Sequence, residues 1–206
     1  PHVHYTDDEI NTRYNYETIR VSQGKISPHH QALNFKVKRN VPKTGLLLVG
    51  LGGNNGSTVV AGVLANKQNL QWHTREGIQK ANYYGSMLRS STINIGTYES
   101  GEPAHVPFGS LIPILNPNDL EIHGWDISNM NLAEAMDRAC VLDHDLKRQL
   151  YDQMREITPW PSIYRPDFIA SNQSDRANNV LTGSNLQLIE TIRQNIRDFK
   201  ISRNLD

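Results

Sequence analysis

The residues best suited to chemistry fall in three short stretches. The first is Gly50-Leu51-Gly52-Gly53-Asn54-Asn55-Gly56, which follows the unbroken apolar run Leu46-Leu47-Leu48-Val49 and precedes Ser57-Thr58-Val59-Val60. The apolar run reads as a strand covered on both faces. The glycines let the backbone turn sharply and come close to a ligand, and Ser57 is placed to cap a helix whose apolar face is Val59, Val60, Val63 and Leu64. Free N–H groups at a helix start, with the positive end of its dipole, suit a pyrophosphate. Strand, turn and helix come in the order that dinucleotide binding demands, although the glycines fall as G-x-G-G-x-x-G rather than G-x-G-x-x-G. Asn54 and Asn55 tolerate unusual backbone angles and add donors to the same turn.

The second stretch is the strand expected over residues 119–127, with Leu120, Ile122, Trp125 and Ile127 around Gly124 and Asp126 where the strand should end. A carboxylate at the end of a strand in a nucleotide-binding sheet is placed to take ribose hydroxyls, although an Asp there is as often a turn residue. Glu76 lies about 20 residues beyond the glycines but has no convincing strand before it. The third is the polar loop Ser171-Asn172-Gln173-Ser174-Asp175-Arg176, after a short strand expected within residues 164–170. Gln173 and Arg176 offer donors to a ribose or phosphate, and a solvated surface loop is the plainer alternative.

These stretches need elements to position them. The pattern predicts an α/β fold: a Rossmann-like, doubly wound parallel sheet over residues 41–206, preceded by a polar N-terminal extension over residues 1–40. In the extension only Thr18-Ile19-Arg20-Val21 stands out as a strand, and Tyr5, Tyr14 and Tyr16 could anchor others. A weak strand is expected within residues 90–98 and an extended path at 111–115. Residues 131–154 read as one long helix, opened by an Asn131/Glu134 capping box, with Cys140 a small buried residue on its apolar stripe and Asp143 and Asp145 solvated charges. A last helix opens at Ser184 with Gln187, and Leu186, Ile189, Ile192, Ile196 and Phe199 share its face. Another strand should come next, so the sheet is expected to be incomplete at its C-terminal end.

Composition narrows the function classes. The 206 residues carry equal numbers of acidic and basic side chains, so no footprint for nucleic acid or an anionic membrane is visible. No apolar run is long enough to span a bilayer. A single cysteine fits a reducing compartment, which makes a cytoplasmic protein the plain expectation. His2, His4, His29 and His30 have no partner at a metal-ligand spacing and read as surface histidines.

Taken together, Leu48-Val49-Gly50-Leu51-Gly52-Gly53-Asn54-Asn55-Gly56-Ser57-Thr58, Gly124-Trp125-Asp126-Ile127-Ser128-Asn129-Met130-Asn131-Leu132, Pro166-Asp167-Phe168-Ile169-Ala170-Ser171-Asn172-Gln173 and Arg176-Ala177-Asn178-Asn179 resemble the eukaryotic inositol-3-phosphate synthase family. That resemblance implies NAD as cofactor, glucose 6-phosphate as substrate and a homotetramer. It implies oxidation of the sugar at C5, enolisation at C6, attack of C6 on the C1 aldehyde, and reduction by the NADH just formed. It also implies that Gly50, Gly52, Gly53, Asn54 and Asn55 hold the pyrophosphate and Asp126 the adenosine ribose, with Ser162, Ile163, Gln173 and Arg176 lining the pocket. Family members are more than twice this length, and their second part carries the catalytic lysines and the substrate phosphate site. No catalytic residue is therefore expected here, and the chain alone is expected to be inactive. A conventional NAD(P) dehydrogenase is the first alternative. A non-catalytic NAD-binding or regulatory module acting on full-length subunits is the second.

Overall fold

The computed structural model describes residues 2–206. In chain order the elements are β1 (Val3–Tyr5), β2 (Glu9–Ser22), β3 (Lys25–Lys38), β4 (Gly45–Val49), α1 (Asn54–Lys67), β5 (Gln71–Thr74) and β6 (Gly77–Lys80). There follow α2 (Met87–Ser90), β7 (Thr92–Thr97), β8 (Pro103–Pro107), α3 (Phe108–Leu111), β9 (Glu121–Asp126), α4 (Leu132–Ala139), α5 (His144–Arg155), β10 (Trp160–Pro161) and α6 (Asn185–Ser202). They form two compact units: residues 1–42 with 84–115, and residues 43–83 with 116–206.

In the first unit, β2 and β3 form an antiparallel hairpin in unbroken register from Glu9↔Lys38 to Ser22↔Lys25, with β1 on the outer edge of β2. Only a four-residue strand stood out from the sequence here, because the alternation of Ile10, Thr12, Tyr14 and Tyr16 changes phase at Ile19 and Val21, and that of Leu33, Phe35 and Val37 does not run back through Pro28. The register is set by the turn, where Gln23 and Gly24 both have positive φ, as a two-residue type I′ hairpin loop requires. The expected strand near residues 90–98 is present as β7, paired with β8. Residues 111–115, expected to be extended, form no strand.

The second unit holds the parallel sheet, in the order β10-β9-β4. Leu48 lies opposite Gly124 and Val49 opposite Trp125. Successive strand residues face opposite sides, so Leu48 and Ile122 pack into one layer with α1, α4 and α5. Leu51, Ala61, Leu132, Met136, Leu150 and Met154 are fully buried in that core. The other face carries His123, Trp125 and Trp160, which pack with Phe199 of α6 in an aromatic layer, with His123 and Trp160 rings 4.2 Å apart. Helices on both faces of a parallel sheet make this the doubly wound α/β fold read from the sequence.

Several local expectations are corrected. The short strand expected within residues 164–170 is absent, residues 166–168 forming a turn, and the third strand is β10, only two residues long, paired to Trp125 and Asp126. Pro159 before it and Pro161 within it mask it in the sequence. The single helix expected over 131–154 is two: Cys140 adopts a left-handed conformation (φ 51°) that ends α4, and it is exposed rather than buried. Asp143 and Asp145 are not free charges. Asp143 accepts from the Trp72 indole and Asp145 from the His73 N–H, tying α5 to the β5–β6 hairpin. That hairpin supplies the strand missed before Glu76. On α6, Leu188 and Phe199 are buried, while Leu186, Ile189 and Ile196 lie exposed. Both predicted capping boxes, at Asn131/Glu134 and Ser184/Gln187, are formed.

His123 should make the stability of the sheet depend on pH. Burial against the aromatic layer, with the Arg203 guanidinium adding to it, holds its pKa below the usual histidine value of 6.5, and its Nδ1 has no partner. The unfolded chain therefore takes up this proton first on acidification, and the folded state loses stability as pH falls below 6.5 until the folded group titrates. Thermal unfolding across that interval should show the loss, and His123→Phe, which keeps the ring in the layer, should flatten it.

Candidate functional site

The site is built where the sheet ends. Strand β4 stops at Val49, and Gly50 enters the turn at φ +85°. The N–H groups of Gly50 and Leu51 both donate to the Trp125 carbonyl, fixing the turn to the end of β9. Gly53 is the N-cap of α1. The helix begins at Asn54, three residues before the expected cap. Ser57 therefore lies inside the first turn, and its hydroxyl donates back to the Gly53 carbonyl. Val59 accordingly is exposed, and the buried face is Val60, Ala61, Val63 and Ala65. Val49 at the strand end is likewise exposed rather than covered.

This shift matters to the chemistry. The first helical hydrogen bond runs from the Ser57 N–H to the Gly53 carbonyl, so the N–H groups of Asn54, Asn55 and Gly56 precede the ladder. No side chain caps this end and no acidic residue sits in the first turn. The positive end of the dipole is left for an anion. The glycines are needed for space as well as angle. A Cβ on Gly56 would lie 2.3 Å from the Leu51 carbonyl oxygen, one on Gly53 would lie 3.0 Å from the Gly50 oxygen, and one on Gly52 would lie 3.3 Å from Asp126 Oδ2.

Asp126 ends β9 with its side chain 1% exposed. Its Oδ1 accepts from the Ser128 N–H at 2.9 Å and lies 3.9 Å from Arg176 Nη2. Its Oδ2 is buried beside Gly52 with no hydrogen-bond partner. A buried carboxylate oxygen without a donor is costly, and a hydroxyl donor arriving at this spot would satisfy it. The carboxylate, the small cradle at Gly52 and the uncapped helix start together fit a nucleotide's ribose and phosphates, so the residues present suit NAD.

Ser162 and Ile163 follow β10. Ser162 is buried, its N–H donates to the Asn179 carbonyl, and it bridges Val180. Ile163 is partly exposed. Gln173 and Arg176 lie on a short 3-10 turn, Ser171–Arg176, where Arg176 Nε donates to Gln173 Oε1. Arg176 thereby links the loop to Asp126, which the sequence could suggest by residue type but not by distance. Two further groups escaped the sequence reading. Asn179 Nδ2 donates to the Asp126 carbonyl, holding the strand end in place. Arg138, on α4, donates from Nη2 to the Gly52 carbonyl at 2.6 Å. Neither sits in a spacing that signals a ligand.

The comparisons with known proteins agree with this geometry. The family model described as myo-inositol-1-phosphate synthase, an NAD-binding domain, matches residues 44–206. The chain is 52% identical to inositol-3-phosphate synthase of Dictyostelium discoideum, with 100% of this chain and 41% of that protein aligned. Inositol-3-phosphate synthase 1 of Mus musculus is 49% identical, with 100% of this chain and 38% of that protein aligned. The crystal structure of inositol-3-phosphate synthase from Caenorhabditis elegans superposes with a TM-score of 0.95 at 45% identity, covering 100% of this chain and 42% of the other. The chain thus spans about two fifths of the length of these relatives. Among the described residues, no helix is long and apolar enough to cross a membrane. The chain belongs to the myo-inositol-1-phosphate synthase family and carries its NAD-binding domain.

Proposed function

We propose that this chain is the NAD-binding portion of an enzyme that converts glucose 6-phosphate to inositol 3-phosphate. The observation that carries this reading is the buried, unpartnered Asp126 Oδ2 beside Gly52, set in front of an uncapped helix start. The names of the relatives support the substrate and product. Bound NAD supplies a hydride acceptor that later returns the hydride, so the cycle has no net redox change.

The chain's own residues bind and orient. The backbone N–H groups of Asn54, Asn55 and Gly56 hold the pyrophosphate, with Gly50, Gly52 and Gly53 giving the close approach. Asp126 accepts from the adenosine ribose hydroxyls. Ser162, Ile163 and Gln173 line the pocket wall, and Arg176, 3.9 Å from Asp126 Oδ1, helps hold the carboxylate in place. Full-length subunits assemble as a homotetramer in the cytoplasm.

Two measurements test the reading. A polypeptide of the relatives' full length that carries this segment should form inositol phosphate from glucose 6-phosphate without accumulating NADH. Stoichiometric NADH would instead indicate an ordinary dehydrogenase. The second concerns cofactor choice. NADP+ would set its 2′-phosphate against the Asp126 carboxylate, so it should bind roughly 100-fold more weakly than NAD+. Asp126→Asn should cost NAD+ roughly tenfold and narrow that gap. Equal binding of the two nucleotides to the unaltered chain would contradict the assignment of Asp126.

A further inference from the structure

The peptide joining Gly52 to Gly53 is the least restrained in the turn, because neither neighbour has a side chain to oppose its rotation. It is nevertheless fixed at both ends. Its N–H, on Gly53, donates to the Gly50 carbonyl at 2.9 Å. Its carbonyl, on Gly52, accepts from Arg138 Nη2 at 2.6 Å. This peptide immediately precedes the helix start, so its orientation sets where the next N–H groups point.

Arg138 is delivered to this place by α4. The capping box at Asn131 and Glu134 fixes where the helix begins. One turn on, Ala135 lies 3.7 Å from where a Gly52 Cβ would be, and this small side chain lets helix and turn approach. Arg138 sits three residues further along the same face. Its other nitrogen, Nη1, lies 3.7 Å from the sulfur of Met130 in the loop after β9. One guanidinium thus spans the glycine turn and the loop that follows Asp126. It pairs with no carboxylate among the described residues.

We propose that Arg138 is a positioning residue for the dinucleotide, clamping the Gly52–Gly53 peptide so that the turn presents its N–H groups to the pyrophosphate. The inference rests on the NAD-binding reading of this turn. Arg138 acts through the Gly52 carbonyl, and its restraint is already in place before the ligand arrives.

The test titrates NAD+ calorimetrically into the 206-residue chain and its Arg138→Ala and Arg138→Lys variants, with ligand-free melting temperature and Gly53 amide exchange measured on each. Arg138→Ala should bind NAD+ roughly tenfold more weakly, with its ligand-free melting temperature within about 2 °C of the parent. Its Gly53 N–H should exchange faster. Arg138→Lys, which keeps a donor of similar reach, should recover most of the affinity and the protection. Arg138→Ala that binds like the parent overturns the inference alone. Lost affinity with unchanged Gly53 exchange also overturns it, since the guanidinium would then act by charge and not by position. If Arg138→Ala unfolds, Arg138→Lys decides: full protection and affinity support the clamp, and their loss overturns it. A parent chain that binds no NAD+ takes down the nucleotide reading and this inference together.

Discussion

Gly56→Ala should reduce NAD+ affinity by roughly 100-fold or more, the cost of losing one or two hydrogen bonds to a charged pyrophosphate. The added Cβ would lie 2.3 Å from the Leu51 carbonyl oxygen and 2.7 Å from that of Gly50, both backbone atoms with no rotamer to escape into. Either the turn or the first turn of α1 must move by about an ångström, and the N–H groups of Asn54 and Asn55 move with it. The residue is buried and helical, so alanine is otherwise at home there. The fold should survive with a modest fall in melting temperature, which separates a binding defect from unfolding. Unchanged affinity would mean the pyrophosphate does not sit at this helix start.

Gly124→Ala should be the most destabilising single change in the sheet, by about 3 kcal/mol or more, or roughly 10 °C in melting temperature. Gly124 lies on β9, the central strand of the parallel sheet, and pairs with Leu48 of β4. A Cβ there would lie 2.0 Å from the Leu48 oxygen and 2.7 Å from its nitrogen. Strands β4 and β9 could accept it only by parting. Both ends of the site depend on that pairing, the glycine turn through the Trp125 carbonyl and Asp126 through its position two residues on. Denaturant unfolding monitored by circular dichroism would measure the loss. A variant as stable as the parent would show that the two strands are not held this closely.

What the sequence revealed follows from the range of the forces involved. The glycine turn, the strand ending in Asp126 and the two capping boxes are set by residues within a few positions of each other, and each was legible. β10 was not, because Trp160 and Pro161 become a strand only by lying beside Trp125 and Asp126. The break at Cys140 was hidden because a left-handed non-glycine residue leaves no mark in an apolar pattern that runs on through Leu142 and Leu146. The long β2–β3 hairpin was hidden because its alternation of apolar and polar residues changes phase within each strand, while its turn at Gln23-Gly24 lacks the usual Asn-Gly or Asp-Gly pair. Within the site, residue types pointed to Asp126, Gln173 and Arg176 separately. The link of Arg176 to Asp126, and of Arg138 to Gly52, exists only once β9, α4 and the 3-10 turn are brought together.

On the proposed reading, this nucleotide domain holds NAD by the Gly50–Gly56 turn and Asp126. Calorimetric titration of the chain with NAD+, in parallel with NADP+, tests it most directly. One saturable NAD+ site per chain and much weaker NADP+ binding are expected. A chain shown by circular dichroism to be folded, yet giving no heat of NAD+ binding, would contradict it.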